Sequence, residues 1–204
     1  MKLFDGSREQ MLDHIEPGSI CAELGVKRGF FSQSIVARAK PSKLILIDPW
    51  EAQDRTLYTD GANGTQAHHD ECYQLMLTRM AQPIVDGIVE VRRGYSCDVL
   101  ATFPDNYFDW IYVDANHSFD TARADLEASH RVVKPDGLIT GHDFGDWRWN
   151  GHKCGVIPAV TSFLNAHPEL ELLCLTQPTR AEHKDDASFV LGRKGTAFPP
   201  SESD

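Results

Sequence analysis

Short apolar runs of strand length alternate with amphipathic stretches along this 204-residue chain. Residues 20–24, ICAEL, form such a run and lead into a glycine-bearing turn. Residues 43–47, KLILI, form a second and end on Asp48, and the pattern between them predicts a helix over 30–39 that stops before Pro41. Further runs predict strands over 88–92, 108–113, 138–141, 171–175 and 187–191. Helical spacing of Cys72, Leu75, Met76 and Arg79 predicts a helix over 67–80, and Ala122, Leu126 and His130 share one face of another over 118–133. A lead-in helix over 7–15 ends at Pro17-Gly18, a short one lies near 98–100, and another spans 157–165. Alternating βα units followed by a terminal strand pair predict a three-layer α/β/α domain with a mostly parallel, seven-stranded sheet. One domain over 1–192 is expected, with 193–204 as a flexible tail. No internal repeat is visible. Two connections stand out: the polar 51–66 segment, long enough to be functional, and residues 144–155, where Trp147, Trp149 and three glycines read as a lid or substrate loop.

Composition narrows the function more than the fold. The formal charge of -10 disfavours a surface for nucleic acid or anionic membrane, so a small-molecule substrate is expected. Hydrophobic residues at 41% suit a globular domain, and no run reaches the length of a membrane span. The five cysteines are scattered with no C-x-x-C pair, which argues against a disulfide framework or structural zinc and for a cytoplasmic setting. A homodimer is the default assembly for such a domain.

The candidate chemistry starts in residues 20–50. Strand, glycine turn, helix, strand and acid form a nucleotide-type βαβ unit. A dinucleotide fingerprint requires G-x-G-x-x-G, but here Gly25 and Gly29 flank Lys27 where the middle glycine belongs. Glu23, just before the first glycine, sits badly beside a pyrophosphate and suits a cationic ligand. A ligand with an ammonium, a sulfonium and a ribose diol but no phosphate, S-adenosylmethionine, fits this pattern better than NAD.

The pieces AELGVKRGFFS, LILIDPW, VRRGYSCDVL, FDWIYVDANHSFDTARADLEASHRVVKPDGLITGHDF and GVIPAVTSFL, in this order, resemble the class I S-adenosylmethionine-dependent methyltransferases. The last three are similar to a bacterial small-molecule subfamily with the pattern D-x-x-H-S … G-H-D-(Y/F). The resemblance implies a Rossmann-like methyltransferase fold and a set of roles. Glu23, Gly25 and Gly29 belong to the first cofactor motif, and Asp48 holds the ribose hydroxyls. Trp50 flanks the adenine, Gly94 and Ser96 border it, and Asp114 lies beside the reacting methyl group.

A second constellation, Asp114, His117, His142 and Asp143, follows the strands over 108–113 and 138–141. Ends of neighbouring strands bring such side chains together above a sheet. Asp114, His142 and Asp143 could hold Mg²⁺ to lower the pKa of an acceptor hydroxyl. Without a metal, His117 or His142 is the candidate general base. His68-His69-Asp70 reads as a solvated helix start, while His14, His130, His152, His167 and His183 stand without companions. The expected activity is methyl transfer to a small molecule, more at oxygen than at nitrogen. An NAD-linked oxidoreductase and a catalytically silent S-adenosylmethionine-binding module are the alternatives.

Overall fold

The computed structural model describes residues 1–56, 58–149, 151–177 and 186–199. The chain opens with β1 (Lys2–Asp5), α1 (Arg8–Met11), a 3-10 turn over Leu12–His14 and β2 (Ile20–Leu24). Next come α2 (Phe30–Ser34), continued by a π-turn over Ile35–Ala39, then β3 (Lys43–Asp48), α3 (Gln66–Arg79), α4 (Ala81–Val85) and β4 (Val89–Arg93). The second half holds α5 (Ser96–Leu100), β5 (Phe108–Val113), α6 (Phe119–Val132) and β6 (Val133–Gly141). It ends with the short β7 (Arg148–Trp149) and β8 (His152–Lys153), α7 (Val156–Ala166), β9 (Leu170–Gln177) and β10 (Phe189–Arg193).

Eight strands, one more than expected, form the main sheet in the order β1-β9-β10-β6-β5-β2-β3-β4. Only β10 runs antiparallel, against β6 and β9. The added strand is β1, which pairs in parallel with β9 from Lys2↔Cys174 to Asp5↔Gln177. Its KLFD sequence is short and charged at both ends, as suits a largely exposed edge, so periodicity gives it no signal. The terminal strand lies at Phe189–Arg193, two residues later than expected. Beyond it, the segment expected as a tail places Phe198 in the core, edge-on to His14. Residues 200–204 lie outside the described residues. Between β7 and β8 the expected lid is a small antiparallel hairpin.

Side-chain parity explains the three layers. On β3, Leu44 and Leu46 join the core under α1, α2 and α3, whereas Ile45 and Ile47 join the core under α5, α6 and α7. On β5, Trp110 and Tyr112 face the first layer and Ile111 and Val113 the second; Phe108 joins the second as well, because the register shifts between it and Trp110. Burial on both faces is why these strands read as continuous apolar runs.

The parallel register brings the carboxyl ends of the central strands level. Leu24 pairs with Ile47 on one side and Val113 on the other, and Val113 pairs with Gly141. Backbone hydrogen bonds continue one step past the strands: Gly25 N–H to the Ile47 carbonyl, Asp114 N–H to Leu24, His142 N–H to Val113 and Gly94 N–H to Asp48. Strand order reverses between β2 and β5, which opens a crevice above this level. Gly25 makes the approach possible. At φ +83°, a Cβ there would lie 2.0 Å from the Asp114 carbonyl oxygen. Gly25→Ala is therefore expected to cost about 2–4 kcal/mol, read as a lower urea midpoint at unchanged slope; a cost under about 0.5 kcal/mol would show that the turn relaxes freely.

Candidate active site

Asp48 ends β3 and is bound by backbone. Its Oδ2 accepts from the N–H groups of Val26 and Lys27, both at 2.9 Å, and its Oδ1 accepts from Trp50 N–H at 2.7 Å. The carboxylate thus shapes the glycine turn, and three bonds leave it acceptor capacity to spare. Lys27 itself adopts φ +52°, the backbone a glycine would take, so the substitution changes the side chain without changing the path. Gly94 and Ser96 sit beside Asp48 at the start of α5, where Gly94 N–H reaches the Asp48 carbonyl.

Two expected donor contacts take other work. Trp50 is 1% exposed, packs against Tyr73 and donates its indole N–H to the Lys27 carbonyl. It is a core residue that buttresses the turn, and its ring has no free face for an adenine. Glu23 has the parity of Cys21 and points into the layer of α2, where the Ser32 hydroxyl donates to Oε2. Burial, only partly opposed by that bond, pushes its pKa up to about 8. Near pH 7 it is a protonated acid that braces α2 against the sheet.

The second constellation converges as expected and recruits partners that sequence did not reveal. His117 follows β5 and is fixed by Gly155 N–H donating to its carbonyl. Its Nδ1 lies 2.7 Å from Asp60 Oδ2, and its Nε2 lies 2.9 Å from Asp143 Oδ2. His142 Nδ1 lies 3.0 Å from the same Asp143 oxygen. Asp114 Oδ1 stands 3.7 Å from His117 Nε2 and 3.9 Å from His142 Nδ1, while Arg8 donates to its Oδ2 at 3.1 Å. Asp143 is held at φ +56°, an uncommon conformation for a side-chain-bearing residue and one that concentrates at functional sites. Trp147 meets His117 edge to face at 5.5 Å, which places this part of 144–155 over the site. The side chains of Trp149 and His152, and the whole of His183, lie outside the described residues.

Electrostatics sort these groups into roles. Burial alone would depress His117, but bonds to Asp114, Asp143 and Asp60 outweigh it and raise its pKa far above the ordinary imidazole value. Burial would likewise raise Asp143, but His117 and His142 hold it well below the usual carboxylate range. The pair is an imidazolium and a carboxylate at neutral pH. His117 therefore has no lone pair to accept a proton, and the expected base role does not suit it in this arrangement. Asp60 and Arg8 were missed because neither lies at a strand end. Asp60 is delivered by the 51–66 segment, which folds around buried Asn63 through bonds to Gln53 and Tyr58. Asp114, His142 and Asp143 each offer a ligand atom, all within 4.8 Å of one another, so the expected metal set is geometrically assembled. His68 and His69, read as a solvated helix start, take separate partners at the start of α3: His69 accepts from Gly64 N–H while His68 turns to Cys72.

Comparison with known proteins points the same way. A family model described as a methyltransferase domain matches residues 22–144. An O-methyltransferase from Streptomyces achromogenes, solved with S-adenosylmethionine, superposes with a TM-score of 0.61 at 17% identity over 92% of this chain and 80% of that one. An O-methyltransferase from Bacillus cereus, solved with S-adenosylhomocysteine, gives 0.60 at 17% identity over 93% and 83%. Spermidine synthase from Thermotoga maritima gives 0.58 at 16% identity; the match covers 97% of this chain but only 60% of that longer one. These likenesses establish a shared Rossmann-like fold. No curated protein sequence matches significantly, and among the described residues no helix is long and apolar enough to cross a membrane.

The Glu23 environment yields a pH signature. Its folded pKa of about 8 exceeds the ordinary 4.5, so the folded state keeps a proton that the unfolded chain releases. That contribution weakens stability as pH rises from about 5 through 8. Glu23→Gln, neutral throughout, should therefore gain stability relative to the parent protein between pH 5 and pH 9. An equal difference at both ends would mean that Glu23 is ionised in the fold.

Proposed function

The chain belongs to the methyltransferase-domain family, and on that premise we propose that it moves a methyl group from S-adenosylmethionine to a hydroxyl oxygen of a small molecule. The observation that carries this reading is the level set of strand ends, with the Gly25 turn and Asp48 on one side of the crevice and Asp114, His142 and Asp143 on the other. The first side offers turn backbone and a carboxylate to a ribose-bearing donor without phosphates. The second offers acid and imidazole groups to the acceptor.

Methyl transfer from a sulfonium needs little covalent help, since the carbon is already electrophilic. The protein's share is to align the acceptor and remove its proton. With His117 locked as a cation between Asp60 and Asp143, His142 is the residue placed to take that proton, and Asp143 orients it through Nδ1. Trp147 and the folded 51–66 segment restrict water around them. The donor set of Asp114, His142 and Asp143 also fits a divalent cation that accepts oxygen and nitrogen ligands, which when bound would lower the pKa of the acceptor hydroxyl. The motif pattern D-x-x-H-S … G-H-D-F supports the reading as a member of the small-molecule subfamily named above.

Two measurements test the reading. Isothermal titration should show saturable binding of S-adenosylmethionine and of its demethylated product; no heat with either removes the donor assignment. In an S-adenosylhomocysteine-release assay over hydroxylated acceptors, Asp143→Asn should lower kcat about 10²-fold while donor Kd stays within about threefold. Loss of activity in EDTA, restored by Mg²⁺ or Mn²⁺, would assign the metal-assisted route, and indifference to EDTA would assign the His142 base.

A further inference from the structure

The histidines that stand alone in sequence do not stand alone in the fold. His130, in the last turn of α6, and His167, just past α7, bring their rings to 4.2 Å between centroids. His167 Nε2 lies 2.9 Å from Glu127 Oε2, one helical turn before His130. His130 Nε2 and His167 Nδ1 both approach Glu169 Oε1, at 3.5 and 3.6 Å. Buried Phe163 lies beneath both rings and fixes their tilt. Along α6 this group lies about 16 Å from the end that carries the active site.

We propose that Glu127, His130 and His167, with Glu169 beside them, form a second metal site for a divalent transition ion of the zinc type. One ligand atom from each of the first three already lies within 4.8 Å of the others. A tetrahedral ion with bonds of about 2.0–2.1 Å sets its ligands about 3.4 Å apart; Glu127 Oε2 and His167 Nε2 lie 2.9 Å apart, and Glu169 meets His167 from the Nδ1 side and holds the ring there. Two imidazoles with carboxylates favour zinc, cobalt or nickel over Mg²⁺ or Ca²⁺, which prefer oxygen alone. Arg123 pairs with Oε1 of Glu127, which leaves Oε2 facing His167. An adjoining cavity of about 260 Å³ is lined in part by His130 and Glu169. The ion would clip the end of α6 to the α7–β9 turn, a structural role separate from methyl transfer.

Co²⁺ titration of the intact protein tests this. The expected result is a visible band of tetrahedral intensity that saturates at one equivalent, is displaced by Zn²⁺ and accompanies a rise in Tm. The band should persist in His142→Ala and vanish in both His130→Gln and His167→Gln. The absence of such a band in the parent protein, which requires no variant to fold, overturns the proposal. So does a band that His142→Ala removes, since the ion would then sit in the active site, or one that both Gln variants keep.

Discussion

Everything in the active site depends on one close approach, that of the Gly25 turn to the backbone of Asp114 and Ala115. The hydrogen-bond ladder between β2 and β5 runs one step past the strands, and no side chain fits where the two segments meet. The same contact levels the ends of β3 and β6 with them. The candidate residues Asp48, Asp114, His142 and Asp143 therefore emerge from neighbouring strands without any long loop having to place them. Loops add to this frame instead of building it, as Asp60 and Trp147 do.

The site's charges are settled differently with depth. At the strand ends, Asp114 meets Arg8, and Asp143 and Asp60 share His117, so each carboxylate lies beside a basic side chain, and His117 and His142 hold Asp143 well below the usual carboxylate range. Deeper in the layer, Glu23 has only a hydroxyl for a partner and keeps its proton instead. The second arrangement tolerates burial at a cost that depends on pH; the first needs three elements distant in sequence to close on one ring.

Much of this was legible from residue order because a parallel sheet writes plainly. β2 and β5 fall where the apolar runs lie, residue for residue, since both faces are buried. Asp114, His142 and Asp143 stand out as candidates because they directly follow such runs. What stayed hidden shares one cause, long-range pairing without periodicity. β1 is defined by its partner strand, Asp60 by an asparagine that folds its loop, and Arg8 by a helix too short to show a stripe. The burial of Trp50 was not legible because a tryptophan two residues after a strand-end acid looks the same in sequence whether its ring faces a crevice or Tyr73. His130 and His167 were passed over because no spacing rule links residues on two different helices.

Arg8 follows closely on β1, the strand that covers the outer edge of β9, yet its guanidinium lies over Phe31 and reaches Asp114 near the middle of the sheet. The segment thus ties the least protected margin of the molecule to its most charged point. One side chain thereby joins the outer edge of the sheet to the charged ends of its central strands.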